Sequence, residues 1–261
     1  MNAFFEAFEA AKAHSRAEYP KESCGVIADG VYVPFENVAL PEFEHVAEGK
    51  CGCQLCSFVI DGEDYAARTA GKTVNYIVHS HPDGPRYPSK GDMEQQIATQ
   101  VPWAIITTDG ERVSDPTIWG EGQIAPMIGR EFMHGVHDCY SIIRDTFRLG
   151  KDKLAEQDIE WPFDPIELPE VPRDDAWWEL EGEDLYTQLF SKFGFEVINM
   201  ADARPGDVFL CAVGDSGKLN HGGVLLGNDC LLHHLPKRQS RRDPSGLWGR
   251  SADLWIRYKH A

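Results

Sequence analysis

The apolar, β-rich run Val74-Asn75-Tyr76-Ile77-Val78, followed at once by His79-Ser80-His81-Pro82, constrains this chain more than any other stretch. The run predicts a strand. Side chains alternate along a strand with period two, so His79 and His81 leave the same face and both imidazoles can reach one ion. Asp92 follows after ten intervening residues, and Ser89 stands three before it, the spacing of a helix N-cap and its capping-box partner. Asp92 is therefore expected in the first turn of the next helix, facing back toward the strand end. Two imidazoles and a carboxylate make three ligands for zinc and leave a fourth position open for water, as in catalytic zinc sites. Separately, each half has a plain reading, as polar residues at a strand end and as a capping box.

Together with Glu22 in Tyr19-Pro20-Lys21-Glu22-Ser23-Cys24-Gly25, the His-x-His-Pro sequence, Ser89 and Asp92 resemble the JAMM (MPN-type) metallopeptidase signature, in its prokaryotic branch. The resemblance implies that His79, His81 and Asp92 bind Zn2+, that Glu22 is the general base, and that Ser89 helps hold the water or the oxyanion. The chemistry is consistent with those roles, because zinc acidifies a water and a nearby carboxylate can take its proton.

A second constellation begins at Asp138-Cys139, ahead of the helical stretch Tyr140 to Phe147. Asp138 can cap that helix. A cysteine in the first turn meets the positive end of the helix dipole, which predicts a lowered pKa and a nucleophilic thiolate. Partners are available downstream, where His221 to Leu226, the turn Gly227-Asn228-Asp229, and Cys230 to His234 read as a β-hairpin. With a three-residue loop, Leu226 opposes Cys230 and His233 becomes the diagonal same-face neighbour of His221. With a two-residue loop, His234 would instead lie directly across from His221. Geometry alone leaves both open.

Asp-Cys at a helix start, then Arg204-Pro205-Gly206-Asp207-Val208 leading into a strand, then histidines twelve apart, resemble the NlpC-type papain-like cell-wall peptidases. That resemblance implies Cys139 as nucleophile, His221 as general base and His233 as the residue orienting it. The chain departs from the common pattern at Tyr140-Ser141, at Gly222 after His221, and upstream of the cysteine. There Arg130, Phe132, His134 and His137 occupy the region of a usual tyrosine, and that role is left unassigned.

Each half holds its own constellation, and 261 residues exceed the usual size of one compact domain. The expected architecture is two domains: an α/β JAMM-like (MPN) domain at 1–122, then an α+β papain-like NlpC-type domain at 126–261. Helices are expected at Ala3 to Ala17 and Gly91 to Gln100, and strands at Cys24 to Pro34, Val74 to Val78 and Trp103 to Thr107. The glycine-punctuated stretch Trp119 to Pro126 marks the boundary. The proline-rich segment from Trp161 to Pro172 reads as an internal loop, because a cut there would part Cys139 from His221.

The N-terminus mixes Phe4, Phe5 and Phe8 with Glu6 and Glu9, an amphipathic pattern rather than a secretion signal, and no run is long enough for a membrane span. Synthesis and folding in a cytosol are expected, and an odd count of seven cysteines fits a reducing compartment. Cys51, Cys53 and Cys56, with Cys24, suggest a weaker second metal cluster, against free thiols in a loop. A formal charge of −17 argues against nucleic acid as a partner. Lys237, Arg238, Arg241, Arg242 and Arg250 form a local exception, read first as a solvated face and second as a contact for the carboxylates of cell-wall peptides.

The pairing of the two domains resembles a tail-tip component of tailed bacteriophages. It implies synthesis in host cytoplasm, a place at the virion tail or in a tail-assembly intermediate, and bacterial peptidoglycan peptides and other tail-tip proteins as partners. The NlpC-like site would cut the stem peptide, at a γ-D-glutamyl to diamino-acid bond. JAMM relatives cut beside ubiquitin-like folds, which makes a tail protein with such a fold a candidate substrate. The alternative is an assembly factor that processes or scaffolds tail proteins with little wall-degrading activity.

Overall fold

A computed structural model describes residues 4–41, 52–180 and 184–259. The chain divides into two compact units, residues 1–88 with 94–122, and residues 89–93 with 123–261. Among the described residues, no helix is long and apolar enough to cross a membrane.

The first unit is built on a five-stranded sheet in the order β2-β1-β3-β4-β5. Strands β1 (Cys24–Ala28) and β2 (Val31–Phe35) form an antiparallel hairpin. One continuous strand was expected here. Asp29 and Gly30 break it by taking φ of 49° and 79°, the left-handed region that short polar residues and glycine tolerate. Strand β3 (Val74–Pro82) pairs antiparallel with β1 and parallel with β4 (Trp103–Thr108), and β5 (Thr117–Trp119) closes the edge. Parallel neighbours need a crossover, and α3 (Lys90–Thr99) provides it. Its first turn lies within 89–93 and the rest within the first unit; a helix is rigid over ten residues, so Asp92 is carried with Glu94–Thr99. Helix α1 (Phe5–Glu18) turns Ala7, Phe8 and Ala11 onto one face, against Tyr76, Val78, Ala104 and Ile106 of the sheet. Burying a side chain such as Phe8 is worth about 1.5–3 kcal/mol. The short α2 (Gly62–Thr69) is capped by Asp61, which accepts from the Glu63 and Asp64 amides.

In the second unit α4 (Cys139–Ala155) precedes a six-stranded sheet of order β10-β9-β8-β7-β11-β6, antiparallel throughout. The strands are β6 (Phe195–Ile198), β7 (Val208–Cys211), β8 (His221–Leu225), β9 (Cys230–His233), β10 (Arg241–Pro244) and β11 (Leu254–Tyr258), with α5 (Leu185–Leu189) before them and α6 (Ser245–Ser251) among them. Alternation separates two cores. Val208, Leu210, Val224, Leu232 and Ile256 pack with Ile142, Ile143 and Phe147 of α4. Phe209, Cys211, Leu225, Leu231 and Trp255 form the other cluster, with Trp248 of α6 against it.

Two glycines explain the unusual residues after His221. A Cβ on Gly222 would run into Leu210 and Ile143, and one on Gly223 into the Leu232 carbonyl and His233 Cβ. Hairpin strand and helix meet too closely for Val-Gly at these positions. Within α4, Gly150 takes φ 65° while Pro165 presses on the hydrogen side of its Cα, so the helix is interrupted there.

Candidate functional site

In the first unit, His79 and His81 occupy the end of β3 with their Nε2 atoms 3.0 Å apart. Asp92 joins them, and one ligand atom from each of the three lies within 4.8 Å of the others. Ligands about 2.0–2.2 Å from a tetrahedral zinc stand roughly 3.3–3.6 Å apart, so the three groups lie near the spacing that a zinc ion needs. The His81 Nδ1–H donates to the Pro85 carbonyl at 2.9 Å, which leaves the Nε2 lone pair for a metal. His79 is fixed by packing, stacked on Phe58 with ring centroids 4.8 Å apart and edge-on to Trp103 and Trp119. Ser89 and Asp92 form a reciprocal cap: the Ser89 amide and hydroxyl donate to Asp92 Oδ2 at 2.8 and 2.7 Å, and Ser89 Oγ accepts from the Asp92 amide. A carboxylate has two oxygens, so capping and ligation are compatible.

Glu22 is buried two residues before Cys24, the register partner of His79. The Ser80 amide donates to the Ser23 carbonyl, which continues the ladder and brings Glu22 to the level of His81. The segment after β2 holds it there. Asn37 Nδ2 donates to the Glu22 carbonyl at 2.9 Å, and the Glu22 amide donates to the Gln54 carbonyl at 2.7 Å. The expected cysteine cluster does not form a thiolate set: Cys56 is disulfide-bonded, and an oxidised sulfur is not a metal ligand. This also departs from the expectation of free thiols throughout. Cys51 lies outside the described residues. Among the described residues, His79, His81 and Asp92 are the one group arranged to hold a metal.

In the second unit Cys139 opens α4, with Asp138 as N-cap accepting from the Ser141 amide at 2.9 Å. Arg173 donates to Asp138 Oδ2 from Nε and Nη2 at 3.0 and 2.6 Å and fixes the cap. The thiol points at the Asn220 carbonyl, 3.7 Å away, beside His221. The hairpin has the three-residue loop, since Gly223 pairs with His233 and the Leu226 amide donates to the Cys230 carbonyl. Asn228 and Asp229 supply its positive φ of 58° and 53°. His221 Nε2 therefore meets His233 Nδ1 at 3.0 Å. His234 projects the other way, donating from Nε2 to the Arg238 carbonyl at 3.1 Å and meeting Phe132 edge-on.

The electrostatics reverse one expectation. Burial pushes the Cys139 thiol up to about 11, and the neighbouring Asp138 charge adds to the rise. The Tyr186 hydroxyl, Arg173 and the Tyr140 amide pull the other way without overcoming it. The helix N-terminus does not outweigh desolvation here, so the resting group is a thiol. Burial likewise lowers His221 to about 3, with the charges of His233 and His234 adding to the fall, so its imidazole is neutral.

Two residues that pattern reading missed complete this arrangement. Tyr186, 47 positions after the cysteine in sequence, donates its hydroxyl to Cys139 Sγ at 3.2 Å. Asp243 Oδ2 lies 3.1 Å from His233 Nε2. Neither belongs to a local motif; the aspartate lies opposite Leu231 in the register of β10 with β9, which becomes visible once the hairpin is paired. The basic segment is partly committed to structure. Arg241 pairs with Asp243, and Arg242 donates to the Asp158 carbonyl.

A sheet with a helical crossover that gathers two histidines and an aspartate is the architecture of a JAB-type domain, and residues 6–119 match the prokaryotic homologs of the JAB domain. Over 258 residues, 96% of its length, the chain is 33% identical to tail tip assembly protein K of Escherichia phage N15 and covers 93% of that protein. It is 31% identical over 199 residues to tail tip assembly protein K of Escherichia phage lambda, spanning 76% of this chain and 85% of that one. The chain belongs to the family of tail tip assembly protein K.

Proposed function

We propose that this chain is a phage tail-tip peptidase in which a papain-like NlpC-type domain at residues 126–261, within the second unit, hydrolyses peptide bonds in the stem peptides of host peptidoglycan. The observation that carries the reading is the unbroken line His221–His233–Asp243 beside a half-buried cysteine at a capped helix start. Cys139 is the nucleophile. Its thiol is protonated and His221 neutral at pH 7, so His221 takes the proton as the sulfur attacks the carbonyl, rather than holding a preformed ion pair. The same imidazolium then protonates the leaving amine, and water releases the acyl group. His233 orients His221 through its Nδ1.

Residues 1–122 form a second peptidase site in this reading, with His79, His81 and Asp92 holding Zn2+ and Ser89 anchoring Asp92. When bound, the ion supplies Lewis acidity toward a carbonyl and acidifies a water. Glu22, held against β3 by Asn37 and Gln54, receives the proton of the attacking water and passes it to the leaving nitrogen. Substitution of His79 by Ala should lower bound zinc from one equivalent per chain to near zero, measured by elemental analysis, with the second unit's chemistry intact. Full zinc retention in that variant would remove the site.

A second reading is supported by the relatives' own description as tail tip assembly proteins. There the chain acts in a tail-assembly intermediate on other tail proteins, one with a ubiquitin-like fold among the candidates, and wall digestion is minor. Mass spectrometry of purified muropeptides separates the two. Cleavage by the wild type and by chelator-treated protein, lost in Cys139→Ala, is expected. No cleavage by folded wild-type protein would overturn the wall-hydrolase reading, and Glu22-dependent cutting of a tail protein would establish the assembly reading.

A further inference from the structure

Asp243 stands at the end of a line of polar atoms whose proton positions can be counted. Its Oδ2 receives His233 Nε2 at 3.1 Å, Arg241 Nε and Nη2 at 3.1 and 2.8 Å, and Trp248 Nε1 at 3.3 Å. Burial alone would raise its pKa, but the donors from His233, Arg241 and Trp248 outweigh burial and hold it below the ordinary carboxylate value. An ionised carboxylate only accepts, so His233 Nε2 must carry a hydrogen. Burial keeps His233 neutral, against the pull of Asp243, so its other nitrogen, Nδ1, is a bare lone pair. That lone pair faces His221 Nε2 at 3.0 Å, and two lone pairs cannot face each other in a buried contact. His221 Nε2 therefore carries a hydrogen as well. The atom left without one is His221 Nδ1, the ring nitrogen nearest the backbone, on the residue that follows the Asn220 carbonyl touched by Cys139.

We propose that Asp243 is a positioning residue that fixes the proton arrangement of His221 and His233, so that His221 Nδ1 is the basic atom presented toward Cys139. The consequence for catalysis rests on the cysteine-peptidase reading; the proton arrangement itself does not. The other charged groups around the pair cannot take this role. Arg238 and Arg241 bear on His233 from β10 and the turn before it, and they are donors only. His234 bears on His221, but its Nε2 is committed to the Arg238 carbonyl. Phe209 and Trp248 pack around the two imidazoles and offer no acceptor. Were the carboxylate lost, His233 could exchange its tautomer. His221 would then be driven to Nδ1–H, with its lone pair turned away from the cysteine.

The test is histidine-selective ¹⁵N NMR on the full chain at neutral pH, read for the protonated nitrogen of each ring and for coupling across the N–H···N hydrogen bond, alongside kinetics on muropeptides. The wild type is expected to show His221 Nε2–H as donor and His233 Nδ1 as acceptor. Asp243→Ala is expected to mix or reverse these tautomers and to lower kcat on the order of 10²-fold, the low end of what a positioned base contributes, with KM within about twofold. A wild-type spectrum with hydrogen on His233 Nδ1 would overturn the proposal, and so would Asp243→Ala keeping both tautomers and full kcat. The wild-type spectrum decides the arrangement even if Asp243→Ala does not fold. If the spectrum is as expected and no muropeptide is cut, the peptidase reading fails while the proton arrangement stands.

Discussion

At the scale of single residues, Cys139 is held in a more protonated state than a helix-start cysteine suggests, and Tyr186 is the group that offsets this most directly. Its hydroxyl donates to Sγ at 3.2 Å and favours the thiolate. A hydrogen bond to a charged group is worth about 1.5–3 kcal/mol, roughly one to two pKa units. Tyr186→Phe should therefore raise the Cys139 pKa further and slow its alkylation by iodoacetamide about tenfold or more at pH 8, followed by peptide mass spectrometry. An unchanged rate would mean that the hydroxyl does not act on the sulfur. Arg241 also takes on a different meaning from the one its charge suggests. Its guanidinium binds Asp243, so Arg241→Ala should act first on kcat through the histidine pair.

At the scale of elements, α4 depends on its cap. Asp138 and Arg173 are both buried and bonded through two nitrogens, and breaking such a pair by removing one partner typically costs about 3–5 kcal/mol. Arg173→Ala should lower the urea midpoint of the second unit accordingly, whereas Lys153→Ala, which removes an ion pair with Glu156 in which both side chains are exposed, should cost less than about 1 kcal/mol. Equal losses would show that burial of the pair is not what matters. This contrast also shows what the sequence could and could not reveal. Asp138-Cys139, the His-x-His strand end and the Ser89-x-x-Asp92 cap are local, and local spacing carries their geometry. The choice between His233 and His234 turned on a single loop residue, because a one-residue slip exchanges the faces of a strand. Arg173, Tyr186 and Asp243 reach their partners across 35, 47 and 10 residues, and no periodic pattern encodes such contacts. The sign of the Cys139 shift was hidden for a related reason. A helix dipole can be read from position, but desolvation is known only once the surroundings are packed.

At the scale of the whole molecule, buried imidazoles should govern how stability varies with pH. His221 and His234 are held neutral, chiefly by burial, with values lowered to about 3 and about 4. In the unfolded chain each takes up a proton near the ordinary histidine value of about 6.5. Below that pH the unfolded state therefore binds more protons than the native state, so stability is fully present above about 6.5 and falls as the pH drops toward the folded-state values. Each fully coupled histidine contributes a slope of about 1.4 kcal/mol per pH unit in that window. His234 is the cleaner probe, since its Nε2 donates to a loop carbonyl whereas His221 belongs to the hydrogen-bonded line that runs through His233 to Asp243. Urea unfolding at pH 7.0, 6.5, 6.0 and 5.5 should give a steeper loss for the wild type than for His234→Asn, with the two curves converging as the pH falls. Parallel curves would mean that His234 is protonated in the folded chain, with the pull of the Asp138 charge outweighing burial.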